Sequence, residues 1–156
     1  MTLQTPNLDL RPKTRADVEA MLAAMPPYDL AQVSPKWMAM FRASAEANPW
    51  IYGFSAVLRK SGAEIGTGGV AGPPDDGMVE IAYAVDEALR GKGYATEIAQ
   101  ALTEYAFASD EVRLVRAHTL PGGAASKRVL VKCGFRHVGD FHHPEDGMVW
   151  RFEKTR

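Results

Sequence analysis

Residues 90–95 read Arg-Gly-Lys-Gly-Tyr-Ala, so two glycines and two cations sit where an alternating, strand-like run (Met78–Val85) gives way to the helical periodicity of Tyr94–Phe107. Glycine inside an element costs about 0.5–1 kcal/mol relative to alanine. A pair at this junction therefore answers a need for a turn, for close backbone approach, or for both. A helix N-terminus with amides unblocked by Cβ atoms, flanked by Arg90 and Lys92, is suited to hold a phosphate; a ligand-free glycine turn is the structural alternative. Two common nucleotide loops do not fit. The third glycine of G-x-G-x-x-G would fall on Thr96, and no G-x-x-x-x-G-K-[ST] occurs. The second residue of chemical interest is Glu80, an acid in the otherwise apolar strand "MVEIAYAV". It is either a solvent-facing carboxylate or a base placed for proton transfer.

The elements that must position these residues follow from periodicity. "LDLR" reads as a short first strand; "TRADVEAMLAAM" has Val18, Met21, Leu22 and Met25 on one helical face, with Thr14 as N-cap and Asp17 at the third position. "SPKWMAMFRASAEANP" reads as a second helix capped by Ser34 and stopped by Pro49, with Trp37, Met40, Phe41 and Ser44 to Ala45 on one side. From Trp50, "WIYGFSAVL", "EIGTGGV" and "MVEIAYAV" read as an antiparallel meander joined at "RKSG" and "GPPDDG". The helix "YATEIAQALTEYAF", the strand "LVRAHT", the helix "AASKRVLVKC" closed by Gly134, and a final hairpin around "HHPEDG" complete the chain. The fold class is α+β, a mostly antiparallel sheet of about seven strands flanked by about four helices.

Bulk properties limit the function classes. A length of 156 residues fits one domain, 1–156. The 46% hydrophobic and 24% charged content is that of an ordinary globule. A net charge of -1 without long runs of one sign speaks against a nucleic-acid partner, and no stretch nears the roughly 18 apolar residues of a membrane span. With the single Cys133 and no apolar leader, the cytoplasm is the expected compartment. The four histidines show no zinc-like spacing, so no metal is expected.

Taken together, "RGKGYA", "NLDLRPKTRAD", "GTGGVAG", "VEIAYAVDEALRGKGYATE" and "ASKRVLVKCGFRHVG" resemble the GNAT superfamily of acetyl-CoA-dependent N-acetyltransferases, in the right order and over nearly the full length. The branch most similar acetylates N-terminal amines of ribosomal proteins. The resemblance implies that acetyl-CoA is the co-substrate, its pyrophosphate held at Arg90, Gly91, Lys92, Gly93, Tyr94 and Ala95. It implies that the preceding strand splays from its neighbour, so that Ala84 and Val85 present N–H and C=O groups to the pantetheine arm.

Transfer to an amine needs a base and a proton donor for the thiolate. The resemblance makes Glu80 the candidate base and Ser126, the serine of the family phrase N-x-x-S, the candidate donor and cofactor contact; the asparagine of that phrase is Gly123 here. Lys127 and Arg128 are candidates for the 3'-phosphate, Cys133 for the core, and Trp37, Tyr28 and Trp50 for core or cleft. The implied activity is acetyl transfer to a primary amine, a small molecule or a protein N-terminus, by direct attack. A non-catalytic acyl-CoA-binding module is the alternative, and a homodimer is left open.

Overall fold

The Thr14 hydroxyl accepts from the Asp17 amide at 3.1 Å while the Asp17 carboxylate accepts from the Thr14 amide at 2.9 Å, a reciprocal cap that starts the first helix where the sequence places it. The computed structural model describes residues 1–44, 48–143 and 147–156, with the backbone alone for His143. In chain order it contains β1 (Leu3–Gln4), β2 (Leu8–Pro12), α1 (Arg15–Ala24), α2 (Pro27–Ala31), α3 (Pro35–Ala43), α4 (Pro49–Tyr52), β3 (Phe54–Leu58), β4 (Glu64–Asp75), β5 (Met78–Val85), α5 (Tyr94–Phe107), β6 (Leu114–Thr119), α6 (Ala124–Lys132), β7 (Arg136–His143) and β8 (Gly147–Thr155). The strands form one sheet ordered β1-β2-β3-β4-β5-β6-β8-β7. Every neighbouring pair is antiparallel except β5 with β6, which run parallel.

This is the expected α+β class, with two short helices and one short strand beyond the elements read from periodicity. The largest difference lies at 50–53. Trp50–Tyr52 are not strand: Asn48 caps Trp50 at 3.1 Å, Pro49 opens a helical turn, and Gly53 at φ +76° ends it before β3 begins. Local capping overrides the strand propensity of three bulky residues. β4 also runs through "GPP", with its register shifting between Ala71 and Asp75, so the turn to β5 is only Asp76–Gly77. Ala45, expected on the second helix, and the hairpin tip at Pro144–Asp146 lie outside the described residues.

Alternation along β5 assigns its two faces. Val79, Ile81 and Val85 are buried in the core with Ile98, Ala99 and Leu102 of α5. The fit is closest at Gly68 of β4, where an added Cβ would lie 2.8 Å from Ile98 Cγ2 and 2.9 Å from Leu102 Cδ1. Helix α5 can rest on the sheet there because position 68 has no side chain. Burying Ile98 and Leu102 stabilises the layer by about 1.5–3 kcal/mol each. Glu80, Ala82 and Ala84 therefore face the other side, which α1 and α3 border; Val18, Phe41 and Tyr52 form a second buried cluster between α1, α3 and α4.

The first turn of α5 is tied to the connection between β1 and β2 by Glu97, whose carboxylate accepts from Thr5 Oγ1 at 2.5 Å, the Asn7 amide at 2.8 Å and Asn7 Nδ2 at 2.8 Å. Burial alone would raise its pKa, but these donors hold it below the usual value. A depressed folded-state value means stability that is present above the unfolded carboxylate range, about pH 4.3, and lost as pH falls through the folded value. Glu97→Gln is expected to be less stable than wild type in urea at pH 7, with the gap narrowing as pH is lowered towards 2. An equal gap at both ends would show that the carboxylate's charge is not what Thr5 and Asn7 recognise.

Candidate functional site

β5 and β6 part before either ends. Their parallel pairs run from Met78–Leu114 to Ile81–Ala117, whereas β5 continues to Val85 and β6 to Thr119. Beyond the divergence β5 stays paired with β4 as far as Val85 opposite Gly66, and β6 stays paired with β8 as far as Thr119 opposite Trp150. The result is a wedge with one backbone edge of β5 open towards β6. Which groups line that edge follows from alternation, because the N–H and C=O of one residue point the same way. Asp86 donates to Ile65 O of β4 at 2.8 Å, and Ala84 O lies 2.2 Å from where a Cβ on Gly66 would sit.

Even-numbered residues thus turn their polar groups to β4, and Tyr83 and Val85 turn theirs to the wedge. The backbone groups of Ala84, expected from the sequence at this edge, thus turn to β4, and those of Tyr83 and Val85 lie at the wedge. The Val85 carbonyl already accepts from Arg90 Nε at 3.1 Å, so Arg90 is drawn back onto the strand end. Tyr83 is partly buried against the core; burial, with a lesser contribution from Cys133, pushes its phenol well above the ordinary range.

The chain leaves Val85 through a 3-10 turn, Glu87–Leu89, and enters α5 at the glycine pair. Gly91 has φ +78° and Gly93, the N-cap, has φ +87° and ψ 1°. Both values are left-handed, which L-residues with a Cβ adopt at a cost of about 1–2 kcal/mol. An added Cβ at either position meets nothing within 4 Å, so no protein neighbour imposes glycine by crowding. No side chain caps α5, and no acceptor for the Gly91, Lys92 or Gly93 amide is found among the described residues. Lys92 is exposed beside them, while Tyr94 and Ala95 pack partly into the core. The turn thus combines amides that have no acceptor among the described residues with an exposed lysine, a combination suited to an anion.

On the α1/α3 face, a groove of about 440 Å³ runs between α3 and the β4–β5 hairpin, lined by Lys36, Trp37, Met40, Asp75, Met78 and Glu80 among others. Glu80 is opposite Arg116 in the β5–β6 register, but Arg116 is drawn to Glu153 at 2.7 Å. Glu80 Oε1 instead meets Nδ1 of His118, two residues further along β6. His118 Nε2 in turn accepts from Arg151 Nε at 3.0 Å, and Arg151 stacks over Phe141 at 3.9 Å. His118, one of the four histidines weighed above only for metal spacing, and Arg151 are not singled out by the sequence reading. Alternation in "MVEIAYAV" and "LVRAHT" marks Glu80 and His118 as facing away from the core, but only the inter-strand register brings them together.

Ser126 is half-buried in the first turn of α6, and no hydrogen bond to it is found among the described residues. The turn before it is tight: a Cβ on Gly123 would lie 3.0 Å from Leu120 O. Lys127 Nζ sits over the Trp150 ring at 5.6 Å, and Arg128 is exposed. Cys133 is buried, as expected, and burial raises its thiol pKa while Lys154 opposes this. Trp37 lines the groove and stacks on Phe41 at 5.4 Å; Trp50 packs on Tyr105 at 5.1 Å. Tyr28, expected in core or cleft, is 75% exposed, because α2 has no buried residue.

The model of the acetyltransferase (GNAT) domain matches residues 7–136, and the chain belongs to this acetyltransferase family. It is 33% identical over 99 residues to the uncharacterized N-acetyltransferase YjdG of Bacillus subtilis, a match covering 61% of this chain and 59% of that relative's length. Its fold is similar to that of RimL, the ribosomal L7/L12 alpha-N-protein acetyltransferase in complex with coenzyme A, at TM-score 0.72 and 15% identity over 99% of this chain and 98% of the other. It is similar also to the aminoglycoside acetyltransferase AAC(6')-Ib in complex with coenzyme A, at TM-score 0.69 and 20% identity over 96% and 95% of the two chains. Among the described residues no helix is long and apolar enough to cross a membrane.

Because Gly93 is left-handed but uncrowded, Gly93→Ala is expected to lower stability by about 1–2 kcal/mol without disturbing the core. Chemical denaturation measures it. A loss above about 4 kcal/mol would point to a core or packing role for the site that the open surroundings do not show.

Proposed function

We propose that the chain is an acetyl-CoA-dependent N-acetyltransferase, acting from one domain spanning residues 1–156 on a primary amine. One observation carries this reading: the β5 edge opened by the departure of β6 leads directly to an uncapped glycine turn at the start of α5. An extended thioester carrier ending in a diphosphate matches such a surface in shape and charge. The fit is favoured by the space around Gly91 and Gly93, where a Cβ would meet nothing within 4 Å. The amides of Gly91, Lys92, Gly93, Tyr94 and Ala95 would hold the diphosphate, aided by the partial positive charge of the helix end and by Lys92. Arg90 serves by bracing the Val85 carbonyl. The open-edge groups of Tyr83 and Val85 would hold the carrier arm, with Ala84 beside them on the α1/α3 face.

Acetyl-CoA supplies the acetyl thioester, whose C–S bond breaks as the acceptor nitrogen forms the amide. The residues of this chain manage the charges. An ammonium has no lone pair, so Glu80, on the wall of the α3 groove, takes the proton of the incoming amine, directly or through water. An edge N–H of β5 stabilises the developing oxyanion, an effect of about 3–4 kcal/mol per donor in studied enzymes. Ser126 donates its hydroxyl hydrogen towards the departing sulfur and is re-protonated from solvent.

Family membership, together with a ribosomal-protein acetyltransferase and an aminoglycoside acetyltransferase among proteins of the same fold, supports amine acceptors of widely different size. The test is thiol release from acetyl-CoA with a panel of amines and N-terminal peptides. Turnover with at least one acceptor is expected, and Glu80→Gln is expected to lower kcat by about 10²–10⁴-fold. Acetyl-CoA at 100 times its Kd adds about 2.7 kcal/mol to stability, which a melting shift reads independently. Binding without turnover for any acceptor would favour the acyl-CoA-binding module, and no shift at all would remove the carrier.

A further inference from the structure

We infer that His118 is a positioning residue for Glu80, held in one tautomer by Arg151 so that it orients the carboxylate towards the α3 groove without itself accepting the proton. The inference rests on the proposed role of Glu80 as base. Its logic is one of donors and acceptors. A guanidinium only donates, so the 3.0 Å contact from Arg151 Nε requires a lone pair on His118 Nε2. In a neutral imidazole the single proton is then on Nδ1, the atom that faces Glu80 Oε1. The hydrogen bond therefore runs from histidine to carboxylate.

The same arrangement works against an imidazolium. Protonating Nε2 would set one N–H against another, beside the permanent positive charge of Arg151. A proton collected by Glu80 is thus not passed along β6; it stays on the carboxylate until the groove releases it. The network is built into the sheet. His118 is opposite Arg151 in the β6–β8 register and lies diagonally across from Glu80 in the β5–β6 register. Its side chain is only 9% exposed against 29% for Glu80, and Arg151 is steadied by the Phe141 ring.

Among the described residues, the other charged groups near Glu80 are Arg116, which faces Glu153 on β8, and Lys36 of α3 and Asp75 at the end of β4 on the groove wall.

The test compares His118→Leu, which removes the donor, with His118→Gln, which keeps an N–H. Acceptor kinetics are measured across pH, using an amine whose own titration lies outside the range. His118→Leu is expected to lower kcat by roughly tenfold to a hundredfold, as loss of an orienting partner typically does, with a smaller change in acceptor KM. His118→Gln should recover most of the loss.

Nitrogen-15 chemical shifts of wild-type His118 should show Nδ1–H with unprotonated Nε2 at pH 7, and Arg151→Leu should mix the two tautomers. Unchanged kcat in His118→Leu, while Glu80→Gln is impaired, would overturn the positioning role and leave the base intact. An unimpaired Glu80→Gln would remove the base itself. If His118→Leu does not fold, an Nε2–H tautomer or a charged ring in wild type still overturns the inference.

Discussion

The parallel ladder between β5 and β6 ends at Ile81 and Ala117, four residues before β5 reaches Val85, and the geometry of the site depends on that early end. Leaving backbone groups unpaired costs about 1–3 kcal/mol each when they are also cut off from water. The protein limits this cost by keeping each diverging strand bonded on its other side, β5 to β4 and β6 to β8. Only one edge of each is opened. At the end of that edge Arg90 reaches back to the Val85 carbonyl, so a cation that composition alone would assign to a phosphate also satisfies the strand. The opening is thus a property of sheet pairing, and the glycine turn is placed at its mouth by chain connectivity.

Helix α5 fixes the second part of the geometry. Its axis is set by contact with Gly68, where side chains on α5 occupy the room a Cβ would take. Its first turn is tethered by Glu97 to Thr5 and Asn7. An acid in the first turn would ordinarily favour the positive end of its own helix and compete with an external anion. Here its oxygens are engaged by three donors from the segment between β1 and β2, and it does not cap the amides at the start of its own helix.

Much of this architecture was legible because it is local. Periodicity located α5 and β6 with the limits they have, and the reciprocal cap at Thr14 and the glycine stop at Gly134 were readable as residue types at set spacings. The α+β class, the family and the positions of the two glycines followed. What the chain did not disclose depends on register. Trp50–Tyr52 carry strand-like side chains in a helical turn decided by Asn48, Pro49 and Gly53. Ala84 and Tyr83 differ only in parity, which the pairing of Val85 with Gly66 decides. Glu80 and His118 are 38 residues apart and share no sequence signal beyond polarity, so their contact emerges only when β5 and β6 are aligned.

The acceptor side of the proposed reaction is constrained by the same face of the sheet. The groove combines two acids, Asp75 and Glu80, with Lys36 and the apolar surfaces of Trp37, Met40 and Met78. Amines are cations at neutral pH, and the acids favour their entry as cations. The chemistry needs the uncharged form. A carboxylate acting as the proposed base would both attract the ammonium and take its proton, which asks for a fixed orientation. In the network inferred above, an imidazole that meets the carboxylate through Nδ1 and is anchored through Nε2 by Arg151 on the next strand would provide that orientation. The register of β5, β6 and β8 thus both ends in the wedge and places beside it the side chains that meet Glu80.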